Sequence, residues 1–204
     1  MSEIKTDKLS PRTGAGTVTL GTSGDSYTIP AGVTLTNAGT LTNTGTLTNS
    51  GTASGFGLFT SYAIIADQKA QNTAGGTFTS GAWRTRDLNT EIADPDGIVS
   101  ISANQFTLAA GTYLIKWTAP SYYAQNNQTR LYNVTDTAEV EVGMNIYDYH
   151  SSVPSAGSAR TTITGSKAFT IEHRSYATYA TSGLGVAGNF TTEQYCTVEI
   201  FKEA

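Results

Sequence analysis

Thr34–Gly51 reads TLTNAG-TLTNTG-TLTNSG, one six-residue unit written three times. Leu35, Leu41 and Leu47 are its only large apolar side chains. Six is even, so in extended chain all three leucines fall on one face. Threonine favours strand, and six fits a helical repeat poorly. The Asn-x-Gly that closes each unit is turn chemistry, because both residues tolerate positive φ. Each unit is therefore expected to be a short strand, a tight corner and another short strand.

One copy of this stretch should not hold itself together. Burying one leucine contributes about 1.5–3 kcal/mol, less than the entropy cost of ordering the six residues around it. Three chains around one axis would shelter their leucines in a shared seam and exchange backbone hydrogen bonds. Val33–Gly55 is thus expected to be a short trimeric β-shaft. The competing readings are a disordered Thr/Asn/Gly linker and a single-chain β-solenoid, whose three small rungs give little core.

The bulk numbers bound the rest. A chain of 204 residues suffices for one good domain and an appendage. Only 14% of residues are charged and the net charge is −4, which argues against a nucleic-acid partner. The single cysteine, Cys196, permits no intrachain disulfide. The opening MSEIKTDKLSPR has no apolar run, so no secretory signal is expected, and no later window suits a membrane span. A protein of this kind is expected to be made in a cytoplasm and to leave within a particle or by lysis.

Met1–Gly32 is expected to hold an adaptable arm and a hairpin formed by Thr17–Leu20 and Ser26–Ile29. The hexads decay at Ala53–Gly57, and a domain boundary is expected there. From Phe56 to Ala204 the chain is a series of short β-branched and aromatic runs. Tyr62–Ala66, Ala82–Leu88, Ile98–Ser102, Gln105–Leu108, Thr112–Trp117, Thr129–Val134, Ala138–Val142, Arg160–Thr164, Ala168–His173 and Tyr195–Lys202 all read as strands. Ala93–Gly97 (ADPDG) reads as a turn. No segment sustains helical periodicity, so the fold class is all-β, a sandwich or barrel.

Phe106–Trp117 (FTLAAGTYLIKW) carries Phe106, Gly111, Tyr113 and Ile115 in a pattern that resembles the trimeric jelly-roll head of complement-type and tumour-necrosis-factor-like (TNF-like) proteins. The closing run EQYCTVEIFKE resembles the last strand of such heads. The N-terminal part, from EIKTDKLSPR onward, resembles the opening of tail-fibre proteins from tailed bacteriophages. These resemblances imply a homotrimer carried on a virion. Its Met1–Gly32 would attach to another tail or baseplate protein, its shaft would lead to a C-terminal jelly-roll head, and the head would face the host cell. In Tyr195–Phe201, Cys196, Val198 and Ile200 share one face, expected to line the core. Tyr195 and Phe201 share the other and are candidates for contact with neighbouring chains.

Strand parity locates a binding surface. The connections 109–111, 135–137 and 165–166 are short, whereas 119–128, 143–159 and 174–193 are long. Antiparallel succession puts all the long ones at one end and returns the C-terminus to the other. The long loops hold Tyr122, Tyr123, Asn126, Asn127, Tyr147, Asp148, Tyr149, His150, Tyr176 and Tyr179. Tyrosine and asparagine are the vocabulary of adaptable binding surfaces, and aromatic faces pack on sugar rings. The expected partner is a host cell-surface glycan or outer-membrane protein loop. The bland alternative is that these tyrosines pack between protomers.

Catalytic and metal chemistry is not expected. His150 and His173 have no ligand spacing, Glu172 and His173 point to opposite faces of a strand, and DPDG with Asp94 and Asp96 is turn chemistry before it is a Ca²⁺ site. Cys196 is expected to be a small core residue. Asn127, Asn133 and Asn189 begin N-x-Thr sequons, read as chance without an export route. No cofactor is expected. The other functional readings are a polysaccharide-degrading tailspike, which would need two carboxylates across a cleft, and a purely structural collar or decoration fibre.

Overall fold

The computed structural model describes residues 58–203, with a few isolated positions ahead of them. The chain divides into two units, Met1–Gly51 and Thr52–Ala204, and the strands below all belong to the second. The N-terminal hairpin, the arm and the shaft leucines Leu35, Leu41 and Leu47 lie outside the described residues.

Twelve strands follow in order: β1 Phe59–Lys69, β2 Arg84–Thr85, β3 Thr90–Ala93, β4 Val99–Ser102, β5 Gln105–Leu108, β6 Gly111–Tyr122, β7 Gln125–Asn133, β8 Ala138–Val142, β9 Ile146–Asp148, β10 Ser152–Ile163, β11 Lys167–Ser175 and β12 Glu193–Glu203. Among the described residues there is no helix. One sheet has the order β10-β6-β12-β1-β3, and the other β4-β5-β11-β7-β8 with β2 on β11 and β9 on β7. The pairing is nested: β1 with β12, β5 with β11, β6 with β10 and β7 with β8, all antiparallel. One long hairpin folded across two sheets in this way is a jelly roll. The all-β jelly-roll sandwich expected from the sequence is the fold the chain adopts.

Alternation builds the core. In β6, Tyr113, Ile115, Trp117 and Ala119 are buried while Lys116 and Thr118 face water. In β12, Cys196, Val198 and Ile200 are buried, as their shared face requires. Across the sandwich they meet Phe106, Leu108, Leu131, Phe169 and Ile171, with the Phe106 and Phe169 rings stacked at 5.6 Å. Phe59 pairs with Glu203, so the first strand begins beside the end of the last. That end is the base, and β6, β11 and β1 all run from it to the opposite end, the tip.

Several expectations need correction. Ala82–Leu88 is a strand only at Arg84–Thr85, because Arg86 turns inward and spends its guanidinium on the carbonyls of Pro120 (3.1 Å) and Leu184 (2.8 Å). The loop expected at 119–128 is the tight connection 123–124 between long strands, and 143–159 contains β9 and much of β10. The DPDG turn forms, with the Asp94 carboxylate accepting the amides of Ile98 (2.8 Å) and Val99 (3.0 Å) and that of Asp96 accepting Ser61 Oγ (2.6 Å). Tyr195 does not face outward. A register shift in the β1–β12 ladder between Ala66 and Gln68 breaks the alternation, so Tyr195 and Cys196 are both covered. Tyr195 is 6% exposed, and its hydroxyl donates to the Thr73 carbonyl at 2.7 Å. Phe201 is half-buried against Phe59, ring centroids 5.2 Å apart.

Candidate functional site: the tip and the groove beside it

The tip is built by two long segments. Residues 176–192 connect β11 to β12, and residues 70–83 connect β1 to β2. They are laced together through backbone: Phe78 and Tyr179 exchange hydrogen bonds (3.0 and 2.9 Å), Gly75 N donates to Gly185 O (2.9 Å) and Leu184 N to Gly76 O (3.0 Å). Such close approach needs glycine. At Gly185, with φ +138°, an added Cβ would lie 2.3 Å from the Tyr195 ring. Phe78 is fully buried beneath this lacing, on the ring of His173 at 4.7 Å.

Glu193 clamps the same region. Its carboxylate accepts the amides of Gly188 (2.8 Å), Asn189 (2.8 Å) and Asn72 (3.2 Å). The first two of these bonds hold the carboxyl below the usual range for glutamate. Beneath the tip lies a polar interior. His173 offers Nε2 to Asn127 Oδ1 at 2.9 Å, and burial, followed by the charge of Arg86, pushes its pKa well below the ordinary value. Burial also lowers the pKa of Arg86 and raises that of Asp67. The Cys196 thiol is pushed up to about 12 by burial, which keeps it an inert core group.

The structure sorts the sequence-predicted residues into three sets. Tyr122, Tyr123, Tyr149, His150 and Tyr179 form one aromatic cluster at the apex. Tyr123 is its hub, stacked on Tyr179 at 4.9 Å and touching Tyr122 (5.1 Å), Tyr149 (5.4 Å) and His150 (4.3 Å). The Tyr123 hydroxyl lies against the His150 ring. Tyr123 and His150 both hold φ of 58°, a conformation that costs a bulky residue free energy. Asn126 and Tyr176 belong to a second place, a groove at the side of the tip; Tyr176 is 73% exposed. Tyr147, on β9, is exposed by itself.

Asn127 is a correction. Only 5% exposed, it gives its side-chain amide to Gln125 O (2.9 Å) and its oxygen to His173. Strand β7 alternates, so Asn127 points inward where Asn126 points out. Asp148 is likewise buried, and its carboxylate accepts Ser121 Oγ at 2.5 Å.

The groove has a volume of about 600 Å³. Trp83, Asn126, Gln128, Asn145, Arg174 and Tyr176 are among its lining residues. The Arg130 guanidinium lies over the rings of Trp83 (4.3 Å) and Tyr132 (4.6 Å) and is fixed by Glu172 (2.6 Å) and Glu139 (3.1 Å). The sequence reading missed Trp83, Gln128, Asn145 and Arg174. Gln128, Asn145 and Arg174 fall within the expected long connections 119–128, 143–159 and 174–193 but carry no signal of their own. Trp83 stands in the connection just ahead of β2 and Arg174 on the outer side of β11, and at such places an isolated aromatic or cation carries no special signal.

No family model matches the chain, and no curated protein does. Solved structures similar to it include the globular domain of zebrafish complement 1qA protein, at 14% identity and TM-score 0.46, covering 69% of this chain and 95% of that one. Murine APRIL is similar at 6% identity and TM-score 0.46, over 70% of this chain and 98% of that one. So is PRD1 vertex protein P5, at 15% identity and TM-score 0.45, over 72% and 100%.

Proposed function

We propose that this chain is the subunit of a homotrimeric tail-fibre or spike protein of a tailed bacteriophage, whose jelly-roll head binds a host cell-surface glycan or outer-membrane protein at its tip. The observation that carries the reading is the tip itself. Two long segments are laced and clamped into fixed shape, yet they, β9 and the turn after it leave Tyr147, Tyr149, Tyr176 and Phe190 exposed. A scaffold that rigidifies loops while presenting aromatic side chains is how a binding surface is preorganised. The left-handed Tyr123 at the centre of the apex is strain of the kind functional sites tolerate.

Self-association has its own support. The outer face of the five-stranded sheet carries Phe59, Tyr62, Ile64, Leu114 and Phe201, with Tyr62 opposite Phe201 and Phe201 opposite Leu114. Phe59 and Tyr62 are exposed in the single chain. An apolar row of this kind is an association surface. The Leu35, Leu41 and Leu47 hexads and the tail-fibre-like N-terminus support the trimer and the virion location from the sequence side. Binding would work by avidity, with weak contacts multiplied over copies. The proposed role is adhesion without cleavage, with no cofactor.

The test combines mass and adsorption. The purified chain is expected at three times its 21.5 kDa. Joint replacement of Tyr147, Tyr149 and Tyr176 by alanine should keep that mass and lower binding to host cells about tenfold or more, as for loss of an interface anchor. Undiminished binding by an intact trimer would count against the tip, and a monomeric full-length chain against the fibre.

A further inference from the structure

We propose that the groove beside the tip binds a carboxylated sugar, with the sugar carboxylate on Arg174 and its hydroxyls on Asn126, Gln128 and Asn145. This rests on the receptor-binding reading and names the chemistry of its ligand. A volume of about 600 Å³ lies within the ordinary range for small-ligand sites and has room for one or two sugar rings.

The lining decides the class. It holds one charged side chain, Arg174, and no carboxylate, in a chain whose net charge is −4. An anion is therefore drawn to this groove over the rest of the surface. Among the described residues Arg174 has no carboxylate within salt-bridge distance, whereas Arg130 has two and Arg160 has one. A planar guanidinium matches a carboxylate with two parallel hydrogen bonds. Arg130, two pairs along the same face of the sheet, is already consumed by Glu172 and Glu139.

The neutral groups supply the rest of a sugar site. Asn126 and Asn145 are exposed and each offers an acceptor and two donors. Gln128 donates to Gly143 O at 2.9 Å, which leaves its carbonyl oxygen to accept from a hydroxyl. Tyr176 and Trp83 provide the apolar surface that the C–H face of a pyranose needs, and Trp83 is held in place by the Arg130 guanidinium at 4.3 Å. An acidic peptide would ask for a basic track along its length, and the lining has a single cation.

The test uses the purified full-length chain and titration calorimetry. The probes are sialyllactose and a galacturonate tetrasaccharide, each beside its carboxyl methyl ester. At least one acid should bind, its ester about tenfold or more weakly, and Arg174→Gln should lose the acid by a similar factor. Asn145→Ala should weaken both acid and ester, and Arg160→Gln, on the other sheet, should change neither. Equal affinity for acid and ester, undiminished binding by Arg174→Gln, or no binding of either acid at millimolar concentration would each overturn the proposal. If neither acid binds while the tyrosine replacements still abolish adsorption, this inference falls and the receptor reading stands. If the acids bind as expected while adsorption ignores the tip, the groove stands and the receptor reading falls.

Discussion

The base and the tip of the sandwich are made from the same strands but from different chemistry. Toward the base, β6, β12, β5, β7 and β11 fill the interior with Phe106, Leu108, Tyr113, Ile115, Leu131, Phe169, Ile171 and Ile200. Toward the tip the same strands turn polar inside. Trp117 Nε1 donates to Thr129 Oγ1 at 2.8 Å, Thr129 and Ser155 share a bond of 2.8 Å, Ser121 donates to Asp148, and His173 meets Asn127. Arg86 lies fully buried among them. Three polar atoms of this half, Arg86 Nε, Asp148 Oδ1 and His173 Nδ1, have no hydrogen-bond partner among the described residues. Apolar packing is strong and indifferent to detail, while buried polar groups are directional and costly when unpaired. The base thus supplies stability, and the tip trades some of it for fixed loop geometry.

The sharpest way to break that contrast is to hollow out the base. Phe169→Ala removes a fully buried ring stacked on Phe106 and should cost about 3–5 kcal/mol in equilibrium urea unfolding. Ser121→Ala, in the tip half, deletes one hydrogen bond and should cost less, about 1–3 kcal/mol. A larger loss at Ser121 than at Phe169 would reverse the assignment of stability to the base.

The same contrast explains what could be read before the fold was known. Tyr113, Ile115 and Trp117 alternate visibly with polar residues, and so do Cys196, Val198 and Ile200, so the base halves of β6 and β12 were legible. The tip halves were not. In β6 the inward positions end with Ala119 and Ser121, in β7 they begin with Asn127 and Thr129, and in β10 Ser155 points in. Small and polar residues on the inner face erase the alternation that marks a strand. Pro120 and Pro154, paired across β6 and β10, deepen the disguise. These stretches therefore read as long loops. The end of the molecule where the tyrosines gather was still located, because strand directions do not depend on strand length and the added β9 runs the same way as β8, both antiparallel to β7. Two inward errors had local causes: the register shift that covers Tyr195, and the alternation of β7 that hides Asn127. The groove was illegible because Trp83, Asn145 and Arg174 come together only through pairing of segments distant in sequence.

A milder probe is pH, because the base core holds no ionisable group near neutrality and the tip does. The pKa of His173 is depressed in the folded chain by burial and then by Arg86. Below the unfolded value of about 6.5 the unfolded chain takes up a proton that the native state refuses. Stability should therefore fall as pH drops from about 6.5 toward the depressed native value, by at most about 1.4 kcal/mol per pH unit. His173→Leu should flatten the dependence in that window while leaving Phe169→Ala equally damaging at every pH. A wild-type profile unchanged between pH 6.5 and 5 would show that His173 is not kept neutral by its surroundings.

The smallest effect concerns the loops alone. Glu193 has a depressed pKa because the amides of Gly188 and Asn189 favour its ionised form. A depressed carboxyl contributes stability that is complete above the unfolded value of about 4.5 and is lost as pH falls through the lower folded one. What is lost is the clamp on 186–192 and on Asn72, not the sandwich. Hydrogen exchange at Gly188, Asn189 and Asn72 should quicken in Glu193→Gln at neutral pH and in the unaltered chain only in acid. Exchange at Ile115 and Val198 should stay unchanged in both. Quickening that spread to those base strands would mean that tip and base open as one cooperative unit, and the division between the two halves would have to be given up.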